Sequence, residues 1–208
     1  MKRLLTLALL LTIHNFILAQ NKSQAEKVLK QIENTQAIDS LKKVYPRWDI
    51  MTETLSVSDT LNFPFLKHAV VGDLVKISLE NRNNQQYMIK ILDQEVQRLC
   101  RVQYIFLDGE TYSIEEIDSI RTDIHRRVQR GEKFHELVDE YNMDENSGDI
   151  GWFSKEMVVS AFFDPIAAQT KDEVFDISIP KNKWYYVVKK TEHDLIRTFF
   201  HTLWIGIN

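Results

Sequence analysis

Ser147-Gly148-Asp149-Ile150-Gly151-Trp152-Phe153-Ser154-Lys155-Glu156-Met157 is the stretch on which the fold turns. Two glycines bracket an Asp-Ile pair, and an aromatic pair follows. Glycine is used where the backbone needs a positive φ or a close approach. The run therefore reads as a shaped loop rather than a helix or a plain strand. It leads from a helical region into Met157 and then Phe162-Phe163, three flexible or flat apolar side chains in a short span.

On the N-terminal side of this loop, Arg101 to Leu107 alternates weakly and ends apolar, as a central strand does. Asp108-Gly109 makes a turn. Ser113-x-x-Glu116 is a capping box, opening a helix with Ile114, Ile117, Ile120, Ile124 and Val128 on one stripe. Tyr112 and Ile117 are spaced as a hydrophobic staple. Gly131 ends this helix where left-handed geometry is usual. A second helix is expected from Glu132, burying Phe134, Leu137, Val138 and Tyr141. Both helices are expected to cover one side of a sheet. After the loop, Val174 to Ile179 and Trp184 to Lys189 supply two strands joined by a turn at Pro180 to Asn182.

The loop and the order of elements around it resemble the parvulin family of peptidyl-prolyl isomerases. There a Gly-Asp-Leu-Gly-x-Phe loop leads to a Met and then a Phe that line the proline pocket. The match covers about Arg101 to Thr191. It implies an α+β fold, a parvulin-like antiparallel sheet covered by helices. By the same resemblance Ile150, Met157 and Phe162 form the greasy cup for the ring. Strict counting from Met157 lands on Ala161, so Phe162 or Phe163 must slide into place. The polar group is Asp144, which follows Tyr141-Asn142-Met143 where the family has a Cys or Asp after its second helix. The loop from Asp144 to Gly148 is shorter than the family pattern. It also lacks the basic residues with which some members hold acidic substrates. Parvulins usually carry one His in the first strand and one in the last. Here those positions hold Tyr104 and Tyr186, two phenols in place of two imidazoles. A buried Tyr can hydrogen-bond, so the fold tolerates the change; the network orienting the polar side of the pocket is altered.

The chemistry such a site performs is rotation about an X-Pro bond, against a barrier of about 20 kcal/mol. Unassisted, it takes tens of seconds or more. No substrate bond breaks, and no cofactor is implied. In the twisted state amide resonance is lost, so the carbonyl is less dipolar and the nitrogen more basic. A dry apolar pocket disfavours the planar amide more than the twisted one, and a donor aimed at the proline nitrogen stabilises the twist further.

The first half reads as a worn copy of the second. Ser23-Gln24-Ala25-Glu26 is a capping box for a helix carrying Ala25, Val28, Leu29 and Ile32. A second helix runs from Ala37 to Tyr45, stopped by Pro46. Arg47 to His68 reads as irregular. Leu74 to Leu79 and Tyr87 to Leu92 alternate as strands, joined by a polar turn at Glu80 to Gln86. Trp48-Asp49-Ile50 falls where Gly148-Asp149-Ile150 falls, and Asp49 to Asp73 matches Asp149 to Glu173 in spacing. Its glycines are gone, so this half is a degenerate parvulin-like N-terminal half with no formed proline site. Asp93 to Cys100 reads as a short polar bridge, helical if regular at all.

The tail, Ile196 to Ile207, reads as a strand, and Phe200-His201-Thr202-Leu203 is similar to the family's first strand. It is expected to complete the first half by adding the strand that half lacks; the alternative is an exposed apolar tail that binds a partner or membrane surface. His201 is then a surface residue. The expected organisation is a signal peptide over 1–19, the degenerate half over 20–95, the isomerase domain over 101–191 and the closing strand over 192–208.

Composition narrows the rest. The chain has 208 residues and a formal net charge of −4. No basic stripe stands out, which argues against nucleic acid as a partner. Cys100 is the single cysteine, so no internal disulfide forms, and no His/Cys cluster has metal-ligand spacing. Lys2 and Arg3 precede a greasy core from Leu4 to Ile13, with Ala19 offering a small residue for cleavage. Ile17 fits the small-x-small rule poorly, and the run falls short of the ~20 residues a spanning helix needs. These features imply export to a bacterial periplasm or cell envelope, with membrane contact only through this segment or the tail. The expected function is an exported parvulin-type isomerase acting on unfolded or partly folded proline-containing polypeptides. The alternative is a chaperone-like binding module that keeps the groove but not the turnover.

Overall fold

The computed structural model describes residues 22–33, 37–79 and 85–207. The expected signal peptide and most of the Glu80–Gln86 turn lie outside the described residues. In chain order the elements are α1 (residues 22–31), α2 (Ile38–Val44), β1 (Ile50–Ser56), β2 (Leu74–Leu79), β3 (Gln85–Asp108), α3 (Ile114–Gln129), α4 (Phe134–Tyr141), β4 (Asp149–Phe153), α5 (Ser160–Ala168), β5 (Val174–Ile179), β6 (Trp184–Lys190) and β7 (Leu195–Ile207). The strands are antiparallel and the helices pack on them, an α+β fold. The chain divides into two compact units. One holds the described residues up to Val96 and from Thr198 on; the other is Gln97–Arg197.

In the second unit the strand order is β4-β3-β6-β5. One face is covered by α3 and α4. There Ile105, Leu107, Tyr185 and Val187 meet Ile117, Ile124, Phe134 and Leu137, because alternate strand residues face the same way. Ser113 caps α3 with the full reciprocal box: its hydroxyl accepts from the Glu116 N–H, and the Glu116 carboxylate accepts from the Ser113 N–H. Gly131, at φ +91°, follows the helix. The second helix starts at Phe134 rather than Glu132. Glu132 is instead held by the Arg127 guanidinium, which the end of α3 presents to it.

The opposite face carries Tyr104, Val188, Phe153, Phe162 and Phe163 and is the side on which α5 packs. Buried Lys190 holds the C-terminal end of α5. Its Nζ donates to Ile166 O at 3.1 Å and Gln169 O at 2.7 Å, and meets Asp194 Oδ1 at 2.7 Å. A cation there complements the free carbonyls of a helix end. Burial alone would raise the Asp194 carboxyl, but its bonds to Lys190, Arg98 and Cys100 hold it below its usual range.

In the first unit the order is β1-β7-β3, with β2 also on β3. β7 pairs with β1 from Ile50↔Ile205 to Ser56↔Phe199. Helices α1 and α2 cover Met88, Leu92, Leu203, Ile205 and Ile207. The other face is packed solid by Tyr87, Ile89, Phe200, Trp204 and Leu66, with Phe63 edge-on to Trp204 at 5.7 Å.

Two links recur in both units. Val70 N–H donates to Asp73 Oδ2 at 2.9 Å, and Thr170 N–H donates to Glu173 Oε2 at 2.8 Å. Just before each carboxylate sits a residue of positive φ, Gly72 at +96° and Asp172 at +71°. Their N–H groups donate to Ile91 O at 2.8 Å and Lys190 O at 2.7 Å.

Further local readings change. The run from Gly148, read as a loop rather than a plain strand, carries β4, because Asp149 to Phe153 pairs with β3. Arg47 to His68 is not irregular throughout: it holds β1 and a 3-10 turn at Pro64–Lys67. Thr52, Glu53 and Thr54 stay exposed, so no apolar alternation announces the strand; pairing with distant β7 makes it. Asp93 to Cys100 is neither bridge nor helix but the middle of β3, whose residues 93–98 carry no buried side chain. Ser23 lies inside α1 rather than ahead of it, and Glu26 is taken by Lys30 one turn on, at 2.8 Å.

Candidate functional site

The shaped loop is built around two left-handed glycines, Gly148 at φ +70° and Gly151 at φ +71°. Gly148 runs against β3, its carbonyl accepting the Tyr104 N–H at 2.8 Å. Asp149 ties the loop from within: Oδ1 accepts the Gly151 N–H at 2.8 Å and Oδ2 accepts from Arg101 at 2.9 Å. Burial pulls the Asp149 carboxyl upward, but these two bonds win and hold it low. The extra residue between Gln103↔Asp149 and Arg101↔Trp152 is a bulge, a device that re-aims side chains.

Beside the loop opens a pocket of ≈ 430 Å³. Its walls include Tyr104, Ile150, Met157, Phe162, Trp184 and Tyr186. Phe162 and Tyr186 meet at 5.0 Å between ring centroids, and Tyr104 stands edge-on to both, at 6.2 Å and 5.9 Å. Met157 is 66% exposed, so its thioether forms a rim and not part of the core.

Asp144 supplies the polar side of the wall. Its Oδ2 accepts from the Tyr104 hydroxyl at 2.6 Å, and its Oδ1 accepts from the Asn146 side chain at 2.9 Å and backbone at 3.2 Å. Burial alone would raise this carboxyl; the Tyr104 and Asn146 bonds outweigh it and keep Asp144 ionised below its usual range. Burial, then the Asp144 bond, pushes the Tyr104 phenol well above its usual value. Tyr186 is pushed up to about 12 by burial and the Asp144 charge.

A family model described as the PPIC-type PPIase domain matches residues 86–194, just over half of the chain. This chain is a parvulin-type, PPIC-type PPIase family member. Among curated relatives of this parvulin is the "Foldase protein PrsA" of Bacillus subtilis (strain 168), 32% identical over 73 residues, or 34% of this chain and 25% of the relative. The "Foldase protein PrsA" of Geobacillus sp. (strain WCH70) is 23% identical over 195 residues, or 90% of this chain and 63% of the relative. The chain therefore spans less than two thirds of the length of either relative.

Of the residues singled out in the sequence, the pocket brings together Tyr104, Asp144, Ile150, Met157, Phe162 and Tyr186. Phe163 is not among its lining residues. One helical step turns it away, and it packs on Phe153 with centroids 6.1 Å apart. The choice between the two phenylalanines thus goes to Phe162. Sequence reading missed Glu156, Val158, Val159 and Trp184, which also line the parvulin pocket. Trp184 was within reach: it precedes Tyr186 by two strand positions and shares its face. It also missed Asn142, which holds the exit of α4 on β3. Phe106 N–H donates to Asn142 Oδ1 at 2.8 Å, and Asn142 Nδ2 donates to Asn146 O at 2.9 Å. Among the described residues no cluster could hold a metal ion, and no helix is long and apolar enough to cross a membrane.

Proposed function

We propose that the second unit catalyses cis–trans isomerisation of X-Pro bonds in unfolded or partly folded polypeptides, as an exported folding helper of the cell envelope. The observation that carries this is the pocket itself: an open, mostly apolar hollow with the Asp144 carboxylate anchored in its wall by Tyr104. Ile150, Met157 and Phe162 hold the proline ring. Asp144 stands beside the substrate carbonyl. The planar amide concentrates negative charge on that oxygen; twisting removes it. A fixed anion there destabilises the planar form more than the twisted one, which lowers the barrier. Tyr104 is a positioning residue, because it reaches the reaction through Asp144. The Tyr186 hydroxyl, whose environment contains no hydrogen bond among the described residues, is free to donate to the pyramidal proline nitrogen.

The direct test is relaxation of Xaa-Pro peptides from cis to trans with and without protein. The intact protein should accelerate it. Asp144→Ala should cost about a hundredfold in kcat/KM, in the range for losing one electrostatic group. Met157→Ala should cost about tenfold through lost ring contact. No acceleration by the intact protein leaves the other reading, a binding module of the same fold. The replacement of both histidines by Tyr104 and Tyr186 is what favours that reading.

The pH profile separates this site from one run by imidazole. Asp144 is ionised well below neutrality, and both phenols stay protonated into strongly alkaline solution. Activity should therefore be flat between about pH 5.5 and 9, and fall only in acid as Asp144 takes a proton. An inflection near pH 6.5, where histidine titrates, would contradict the assignment.

We also propose that the first unit is a degenerate copy of the second, closed by the strand from the tail. The shared strand order and the paired Asp73 and Glu173 links support this. Where the second unit opens its pocket, the corresponding face of the first is filled by Tyr87 and Trp204, so it holds no proline site.

A further inference from the structure

The pocket carries a charge pattern of its own. Two acidic side chains, Asp144 and Glu156, line it, and no lysine, arginine or histidine does. Glu156 Oε2 accepts from the Ser154 hydroxyl at 2.6 Å, a bond that holds the carboxyl low and ionised. Asp144 is bonded to neutral groups, among them the Tyr104 phenol and the Asn146 amide and N–H. Lys155, the cation next to Glu156 in sequence, is turned onto Asp164 at 3.0 Å. Two anions thus face a mostly apolar hollow; Lys155 acts on Glu156 through space while pairing with Asp164, and among the described residues no cation lines the pocket itself. Glu156 is exposed and Asp144 half-buried, so solvent now stands where a cationic group of a ligand would fit between them. A carboxylate brought there instead would meet two like charges, of which Asp144 is half-buried and the less screened.

We infer that the site selects polypeptides with a lysine or arginine immediately before the proline. The inference rests on the isomerase reading above, which sets Asp144 beside the amide joining proline to the preceding residue. The side chain of that residue then lies between Asp144 and Glu156. Its methylene stem crosses the apolar rim at Met157 and Val159, and its charged head reaches the carboxylates. Apolar residues are accepted less well, and glutamate or aspartate is rejected.

The test compares three peptides differing only in the residue before proline: lysine, norleucine of similar stem length, and glutamate. The expected order of kcat/KM is lysine, norleucine, glutamate, with lysine over glutamate by about tenfold at low salt. In about 1 M sodium chloride, where the screening length falls to about 3 Å, the ratio should shrink severalfold. Glu156→Gln keeps an acceptor for Ser154 and removes the charge; it should lower the lysine-to-glutamate ratio about threefold. If no peptide is turned over, quenching of Trp184 fluorescence on titration with the same peptides reads the same preference as affinity, and the same order supports the inference. Equal or better use of the glutamate peptide overturns it while leaving the isomerase reading intact. So does a ratio unmoved by both salt and Glu156→Gln. Neither turnover nor binding of any peptide overturns the isomerase reading itself, and this inference with it.

Discussion

A chain ending at Arg197 is expected to lose the fold of its first unit while the second unit keeps its own. The missing residues supply β7, which lies between β1 and β3. They take with them Phe200, Leu203, Trp204, Ile205 and Ile207, exposed by 5% or less. Burying a large apolar side chain contributes about 1.5–3 kcal/mol. Five of them together come to roughly 10 kcal/mol, as much as a typical domain's whole margin of about 5–15 kcal/mol. β1 loses its only described pairing. Thr202 Oγ1, donor to Glu53 O at 2.7 Å and acceptor from Trp204 Nε1 at 2.7 Å, goes as well. The cut after Arg197 spares Asp194 and its bond to Lys190, so the second unit is left whole. Thermal unfolding followed by circular dichroism should show one transition missing, with proteolysis confined to residues before Val96. A truncated chain melting like the full one would refute the assignment of β7.

Gly148→Ala should be the most damaging single substitution in the second unit. Gly148 has φ +70°, a conformation an L side chain adopts at a cost of about 1–2 kcal/mol. The larger penalty is steric. A Cβ at Gly148 would stand 2.5 Å from Tyr104 O and 2.6 Å from Val138 Cγ1. One of these is backbone in the central strand and cannot swing aside. Relief requires the loop to leave β3, breaking the Tyr104 N–H bond to Gly148 O. The expected loss is about 4 kcal/mol, at the upper end for point changes. Gly151→Ala is the internal control: it shares φ +71° but finds nothing within 4 Å of its added Cβ. It should lose only about 1 kcal/mol. Urea unfolding of the two variants separates the terms. Equal losses would mean that the close approach at Gly148 contributes nothing.

Much of the second unit could be read from the chain because its signals are local. The Ser113–Glu116 box, the stripe from Ile117 to Ile124 and the Pro180–Asn182 turn each lie within a few residues of what they specify. β5 falls on Val174–Ile179 without adjustment. The pocket was legible to the extent that its residues cluster in one stretch, Asp144 to Phe162, followed by Tyr186. What escaped was decided by pairing across the chain. β1 shows no alternation because Thr52 to Thr54 face solvent, and its partner lies some 150 residues away. Residues 93–98 look like a linker because they bury no side chain, yet their backbone continues the strand.

From sequence alone follow the parvulin-type shape of the second half, the places of α3, β5 and β6, and the need for glycine at 148. These are set by backbone conformation and by the period of apolar residues along one segment, which neighbouring residues determine among themselves. Tertiary structure alone decided that Phe162 and not Phe163 enters the pocket, that Tyr104 anchors Asp144, and that Glu156 joins the wall. Such choices depend on which face a side chain takes when elements far apart in sequence come within a few ångströms, a distance no spacing along the chain encodes.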